Sequence, residues 1–400
     1  MSTPRHFIRP STTLGRHAAL RAWLAANGFD AYLVSNPENT AYLSGWKPDV
    51  ESWERPFLTV IPRQGEPFMV LHELSIPGVG MAADRGTLVI EDRTFYVERP
   101  STDPGVWTRA SWAGLVAGKL RSRGLEAGKL ALDSSLAALD EVQTTLPNLQ
   151  IVSAASVLTD LRAVKSDEEL ELMHLACQLT DFGQQVFREL TKPGELIAAV
   201  DAETVLRMRV EGARRFPGAD LTARAFSLTG PDSAAPHGTG AGSDARIERG
   251  HGIVNIIVAS LGGYCVENER TLFVGEASEE QRRAYACIRE AQAAAVASCV
   301  PGAPLAGIDR AALAVIARHG YSDRVLHRAG HGIGLRGHDQ PADMAFNERP
   351  LLAGEVYTIE PGIYLPGLGG FRIDDTVVVG EPPRSLTSTP RDIGDVIIPA

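Results

Sequence analysis

The sequence predicts a small α/β domain followed by a larger α+β domain, and three observations lead there. Residues 1–155 alternate helix-like and strand-like segments, the mark of an α/β unit. A charged passage, Leu158 to Glu169, then ends on Ser166 with Glu169 three residues later, the pattern of a capping box that opens a new helix. Beyond it, helical segments are separated by long strand-rich blocks, which suits helices gathered on one side of a largely antiparallel sheet. A chain of 400 residues exceeds what one core holds comfortably. Two domains are therefore expected, residues 1–160 and 161–400.

Taken in order, Leu14 to Asn27 places Leu20, Trp23 and Leu24 on one helical face, with Gly28 as the stop. Asp30 to Ser35 (DAYLVS) reads as a buried strand. Pro56 to Leu71 reads as two strands about the turn Arg63-Gln64-Gly65, and Thr87 to Val97 as further strand. Arg109 to Arg123 is a helix closed by Gly124, and Leu130 to Asp133 a short strand. The capped helix runs from Ser166 to about Leu190, with Leu172, Leu175, Leu179, Phe182 and Val186 along one face; Met173 and Phe182 are assigned to the core. Helices are expected over 194–211, 278–299 and 306–319, and strands over 223–229, 252–274 and 355–380.

Composition narrows the function. The chain is 44% hydrophobic and 22% charged, as ordinary globular proteins are. Its formal net charge of -10, with no local run of Lys and Arg, gives no electrostatic footprint for nucleic acid. The four cysteines, Cys177, Cys265, Cys287 and Cys299, are scattered without CxxC or framework spacing, as expected of reduced thiols in a cytoplasmic protein. The opening residues lack the apolar core of a signal peptide, and no apolar run reaches about 18 residues, so neither export nor membrane insertion is expected.

Chemistry concentrates in Leu326 to Thr376. That stretch carries His327, His331, His338, Glu360, Arg372 and the pair Asp374-Asp375 in a glycine-rich setting. Irregular spacing with many glycines suggests a site assembled from strands and turns. A second cluster lies in the strand-like block Arg249 to Gly275, where Glu267 and Glu269 are two residues apart and leave the same strand face. Such a pair is either a solvated charged face or, if buried, a pair that needs a cation or a shared proton. His327 and His319 read as structural, His251 as a turn residue, and the glycines at 330, 332 and 334 as permitting close packing.

The passages GGYCVENERTLFVG, HRAGHGIGLRGHDQP, TIEPGIYLPG and GGFRIDDTVVV, with APHGTG at 235–240 as a weaker fifth, occur in the order of one known family. By them the chain resembles the pita-bread proteins, which include Xaa-Pro dipeptidases and aminopeptidases, methionine aminopeptidases and creatinases. The N-terminal region resembles the smaller domain of the creatinase and prolidase branch. The resemblance implies a pita-bread catalytic domain, a largely antiparallel curved sheet flanked by helices. It also implies an Xaa-Pro dipeptide as substrate and a homodimer.

The peptidases hold two divalent metals with two aspartates, a histidine and two glutamates. Carried over by position, the histidine falls on His331, the glutamates on Glu360 and Asp374, and the second aspartate on Glu267. The first aspartate falls on Ile256, which ligates nothing, and Asn255 points to the other face unless a bulge turns it. The resemblance thus implies a reduced site, Glu267, His331, Glu360 and Asp374, suited to one divalent ion such as Zn²⁺ or Mn²⁺. Such an ion would polarise a carbonyl and acidify a bound water. Glu360 would double as proton acceptor, His237 and His338 would serve the oxyanion and leaving group, and Arg372 would anchor the substrate carboxylate.

The rival expectation rests on Glu269, which stands where most of these peptidases have threonine and where creatinases, lacking metal, have glutamate. On that reading a metal-independent hydrolase uses His237 as proton shuttle and Glu269 with Glu360 to grip a guanidino or cyclic amidine compound. A third expectation is a non-catalytic binding protein on the same fold.

Overall fold

Local chemistry sets the ends of the first helix: α1 (Pro10–Asn27) starts on a proline, which needs no hydrogen-bond acceptor there, and stops at Gly28 in the left-handed region at φ 68°. The computed structural model describes residues 6–99, 102–103, 105–236, 242–339 and 344–399. By contacts the chain divides into one unit, Ile8–Leu161, and a second that runs from Arg162 onward and includes His6 and Phe7.

The first unit continues with β1 (Ala31–Val34), α2 (Pro37–Ser44), β2 (Leu58–Pro62), β3 (Phe68–His72), α3 (Ser75–Asp84), β4 (Asp92–Val97), β5 (Trp107–Thr108), α4 (Trp112–Ser122), β6 (Lys129–Leu132), α5 (Leu139–Thr145), β7 (Gln150–Ser153) and α6 (Ala155–Ala163). Its sheet has the order β5-β4-β3-β2-β1-β6-β7. β1 pairs antiparallel with β2 and parallel with β6, so the sheet is mixed. The sequence reading assigned no element to α2, β5, α5 or β7, and two further details depart from it. Thr87 to Glu91 is not strand, and β4 starts only at Asp92. The helix α3 was not expected, because Pro77, Gly78 and Gly80 are poor helix formers.

The second unit opens with α7 (Asp167–Leu190), capped as the sequence predicts: the Ser166 N–H donates to Glu169 Oε2 at 2.7 Å, and Ser166 Oγ accepts from Glu169 N at 3.4 Å. Met173 is fully buried; Phe182 is only half-buried, with the Arg215 guanidinium over its ring. After α8 (Ile197–Arg215) and β8 (Leu221–Thr229) come β9 (Gly252–Leu261) and β10 (Tyr264–Val274), joined by Gly262 and Gly263 at φ 58° and 83°. Two successive residues at positive φ make the tight turn whose twist suits a hairpin, and glycine takes it without strain. Helices α9 (Glu279–Ala297) and α10 (Ala306–Arg318) precede β11 (Val356–Ile359), β12 (Gly362–Leu365), β13 (Gly369–Arg372) and β14 (Asp374–Val378).

The main sheet runs β11-β14-β10-β9-β8, every neighbouring pair antiparallel. β12 and β13 form a separate ribbon. One face of the sheet packs on α7, where Gly183 lets the helix approach closely: a Cβ there would lie 2.5 Å from Met208 Sδ and 3.1 Å from Ile257 Cδ1. Ile257 therefore points towards α7, and Ile256, Glu267 and Glu269 leave the opposite face. No helix among the described residues is long and apolar enough to cross a membrane.

Candidate metal centre

Pairing of β10 with its neighbours brings the acidic residues together. Glu269 stands opposite Asp374 on β14 and opposite Ile256 on β9, and the β9–β10 register is unbroken from Tyr264↔Leu261 to Phe273↔Gly252. No bulge turns Asn255 around. Its amide lies on the far face and donates to Ser227 Oγ at 3.0 Å, and Ser227 Oγ in turn donates to Asp201.

His331 reaches the site because its segment lies along β11. Glu360 N donates to Ala329 O at 2.7 Å and Thr358 N to His331 O at 2.9 Å. Gly330 permits that approach, since a Cβ would fall 1.9 Å from Thr358 O. The same register sets His331 beside Glu360.

The imidazole of His331 is oriented by its own backbone. Nδ1 lies 3.0 Å from Gly332 O, and a carbonyl only accepts, so Nδ1 carries the proton and Nε2 presents a lone pair. Burial lowers the His331 pKa to about 4, so the ring is neutral at physiological pH. That lone pair faces Glu360 Oε1 at 3.5 Å and Glu267 Oε2 at 3.6 Å. His338, exposed, stacks on His331 with ring centroids 3.7 Å apart.

The carboxylates differ in how they are compensated. Asp374 is fully buried; its Oδ1 accepts from Ile359 N at 3.1 Å, while Oδ2 has no hydrogen-bond partner. Burial, then Glu269, Glu360 and Glu267, push its pKa well above the ordinary value. Burial, followed by Glu360 and Glu269, does the same to Glu267. Burial also raises Glu269, to about 7, against the pull of Arg372. Burial opposes ionisation of Glu360 too, but the charge of the Arg372 guanidinium leads what outweighs it and holds its pKa below the usual range.

Among the described residues, Glu267, His331 and His338 bring one donor atom each within 4.8 Å of one another, and so do Glu267, Glu269 and Asp374. A neutral imidazole lone pair aimed at two carboxyl groups, beside an orphaned buried carboxyl oxygen, calls for a cation or a proton between them. His331 with Glu267 and Glu360 on one side, and Glu267 with Asp374 on the other, offer nitrogen and carboxylate donors of the kind a divalent ion takes.

Arg372, on β13, does something the sequence did not disclose. Its Nε pairs with Glu269 Oε2, and its Nη2 donates to Glu269 Oε1 at 3.0 Å. Its Nη1 donates to Pro236 O at 3.1 Å and Tyr364 OH at 3.3 Å. With every guanidinium nitrogen engaged inside the protein, Arg372 is poorly disposed to anchor a substrate carboxylate, and Glu269 is poorly disposed to grip a cationic substrate. His237 lies outside the described residues.

Two further residues, Arg270 and Tyr364, escaped the sequence reading. Arg270, on the back of β10 and buried, donates to Glu269 O and Asp374 O, both at 2.7 Å, and to Asp375 Oδ1 at 2.8 Å. It ties together the two strands that carry the site. The alternation of Arg270 against Glu267 and Glu269 within one strand was its only signal. Tyr364 OH lies 2.6 Å from Nε2 of His327, whose Nδ1 lies 2.7 Å from Arg328 O. His327, Tyr364, Arg372 and Glu269 thus form a continuous polar line into the site, and nothing in the spacing of His327 announced it.

Residues 171–381 match metallopeptidase family M24, and residues 16–164 match the creatinase/prolidase N-terminal domain. The chain belongs to metallopeptidase family M24. Within this family it is 38% identical over 238 residues to an Xaa-Pro dipeptidase of Pyrococcus furiosus, a match spanning 59% of this chain and 66% of that one. It is 28% identical over 384 residues to the putative dipeptidase YkvY of Bacillus subtilis, spanning 95% and 99% of the two chains. Its fold is similar to that of the prolidase from Pyrococcus horikoshii OT3, with a TM-score of 0.78, 27% identity, and 95% and 99% of the two chains covered. The antiparallel sheet with flanking helices is accordingly the pita-bread arrangement, and use of a divalent metal follows from M24 membership.

Proposed function

We propose that this M24 protein is an Xaa-Pro dipeptidase-like metallohydrolase that cleaves the C–N bond of a dipeptide-sized substrate at a single-ion site. The observation that carries the reading is the Nε2 lone pair of His331, fixed by the Nδ1 contact with Gly332 O and directed between Glu267 and Glu360. His331, Glu267, Glu360 and Asp374 would hold one Zn²⁺ or Mn²⁺. Such an ion, when bound, polarises the scissile carbonyl and lowers the pKa of water.

The remaining work belongs to the chain's own side chains. Glu360, kept anionic by the Arg372 guanidinium, is the group able to accept a proton from the attacking water. His338, exposed over the His331 ring, is a proton donor for the departing amine. His237 takes the oxyanion role that the resemblance implies. Arg372 is a positioning residue that fixes Glu269 and Tyr364.

The arrangement disfavours the creatinase-like alternative, because the carboxylate that would grip a guanidinium already faces one of the protein's own. We place the protein in the cytoplasm as a homodimer, the latter tested by light scattering.

The test is metal analysis of the purified protein, then Xaa-Pro dipeptide hydrolysis after exhaustive chelation and after adding back Mn²⁺ or Zn²⁺. Activity lost with chelator and restored by metal is expected. Full activity in metal-free protein would exclude this reading.

A further inference from the structure

The donor that the family pattern places at position 256 is missing, yet the space is not without a carboxylate. Ile256 offers no ligand atom and is buried. Directly across the ladder stands Glu269, on the same face of the sheet. Its carboxylate lies within 4.8 Å of those of Glu267 and Asp374. The acid absent from β9 is thus supplied by the neighbouring strand.

What accompanies that acid differs from a metal. Both oxygens of Glu269 face Arg372, through Nε to Oε2 and Nη2 to Oε1, and the guanidinium is buried with Nη1 held by Pro236 O and Tyr364 OH. A planar fork matched to both oxygens of a carboxylate leaves no room for a cation between them. A guanidinium anchored on three sides cannot withdraw into water to admit one.

We infer that the Glu269–Arg372 pair occupies the place of the second metal ion of the two-ion pattern, so that the centre holds one exchangeable ion and one covalently built cation. The inference rests on the metallohydrolase reading and goes further by naming what balances the charge where the second ion would sit. Half of that compensation is then independent of metal supply. The Tyr364–His327 line extends from the fixed cation, and it stays in place when the ion leaves.

The test is metal stoichiometry of the full chain, by isothermal titration with Mn²⁺ and by elemental analysis after gel filtration, for the natural protein and for the double substitution Ile256→Asp with Glu269→Thr. The expected counts are one equivalent for the natural chain and two for the double variant. Two equivalents in the natural chain overturn the inference while leaving the metallohydrolase reading intact; zero equivalents overturn both. A double variant that stays at one equivalent, with native circular dichroism and melting, also overturns the inference.

Electron paramagnetic resonance of the natural chain loaded with excess Mn²⁺ decides the matter even if the double variant does not fold. An isolated single-ion spectrum supports the inference, and a spin-coupled pair contradicts it.

Discussion

Arg270 shows how much of the site depends on a side chain that never faces it. It bonds the carbonyls of Glu269 and Asp374 from behind and pairs with Asp375, itself also held by Thr387, Gln292 and Arg391. Arg270→Met leaves a buried carboxylate with fewer partners and should cost about 3 kcal/mol, the low end for a broken buried pair, in urea unfolding. A loss below about 1 kcal/mol would contradict the strut. Asp201 gives a second residue-level prediction, outside the site. Burial lifts its pKa from 3.8 to about 6. Between those values the folded state holds the proton that the unfolded state has released, so this group's contribution to stability falls as pH rises. The unfolding free energy of the natural chain minus that of Asp201→Asn should drop by about 3 kcal/mol from pH 3 to pH 7. A flat or rising difference would refute it. At this scale the sequence pointed to candidate residues for chemistry but not to whom they pair with. Glu267, His331, Glu360 and Asp374 were singled out through the family resemblance, whereas the fork of Arg372 on Glu269 joins residues far apart in sequence, and no periodicity encodes such a pair.

Elements were legible where a pattern repeats or a cap is explicit. The box at Ser166 and Glu169 and the face of α7 follow from spacing, and the turn Gly262-Gly263 marks the hairpin that carries Glu267 and Glu269. The helices α2, α3 and α5 went unread, and in α3 Pro77 and two glycines hide a helix formed by tertiary packing. The strand expected from Thr87 failed too: its apolar residues lead into β4 without pairing until Asp92. The segment 329–332 belongs to neither group. It is not a named strand, yet it runs along β11 and delivers His331. Gly330→Ala puts a Cβ against the Thr358 carbonyl, where only backbone movement can relieve it. Zinc affinity should fall about 10–100-fold by competition with a chromophoric chelator, as when groups supporting a metal ligand are lost. Unchanged affinity would show that this approach does not position His331.

For the whole molecule, the central consequence is that metal and stability are linked. An ion that binds only the folded chain stabilises it by about 2.7 kcal/mol at a hundredfold excess over its Kd. Saturating Mn²⁺ or Zn²⁺ should therefore raise the calorimetric Tm of the transition that includes the M24 unit by about 5 °C or more, and His331→Ala should abolish the shift. An equal shift in His331→Ala would mean that the ion binds elsewhere. The two-part organisation could be read from the change in element order near Ser166. The sheet order and the pairing that sets Glu269 opposite Ile256 could not, because strand neighbours distant in sequence are fixed by the folded core.

The most direct measurement is anomalous diffraction at the zinc or manganese edge from crystals grown with that metal. The account predicts a peak bonded to Nε2 of His331 and to oxygens of Glu267, Glu360 and Asp374. Ordered water alone at that position, with Nε2 acting only as a hydrogen-bond acceptor, would contradict it.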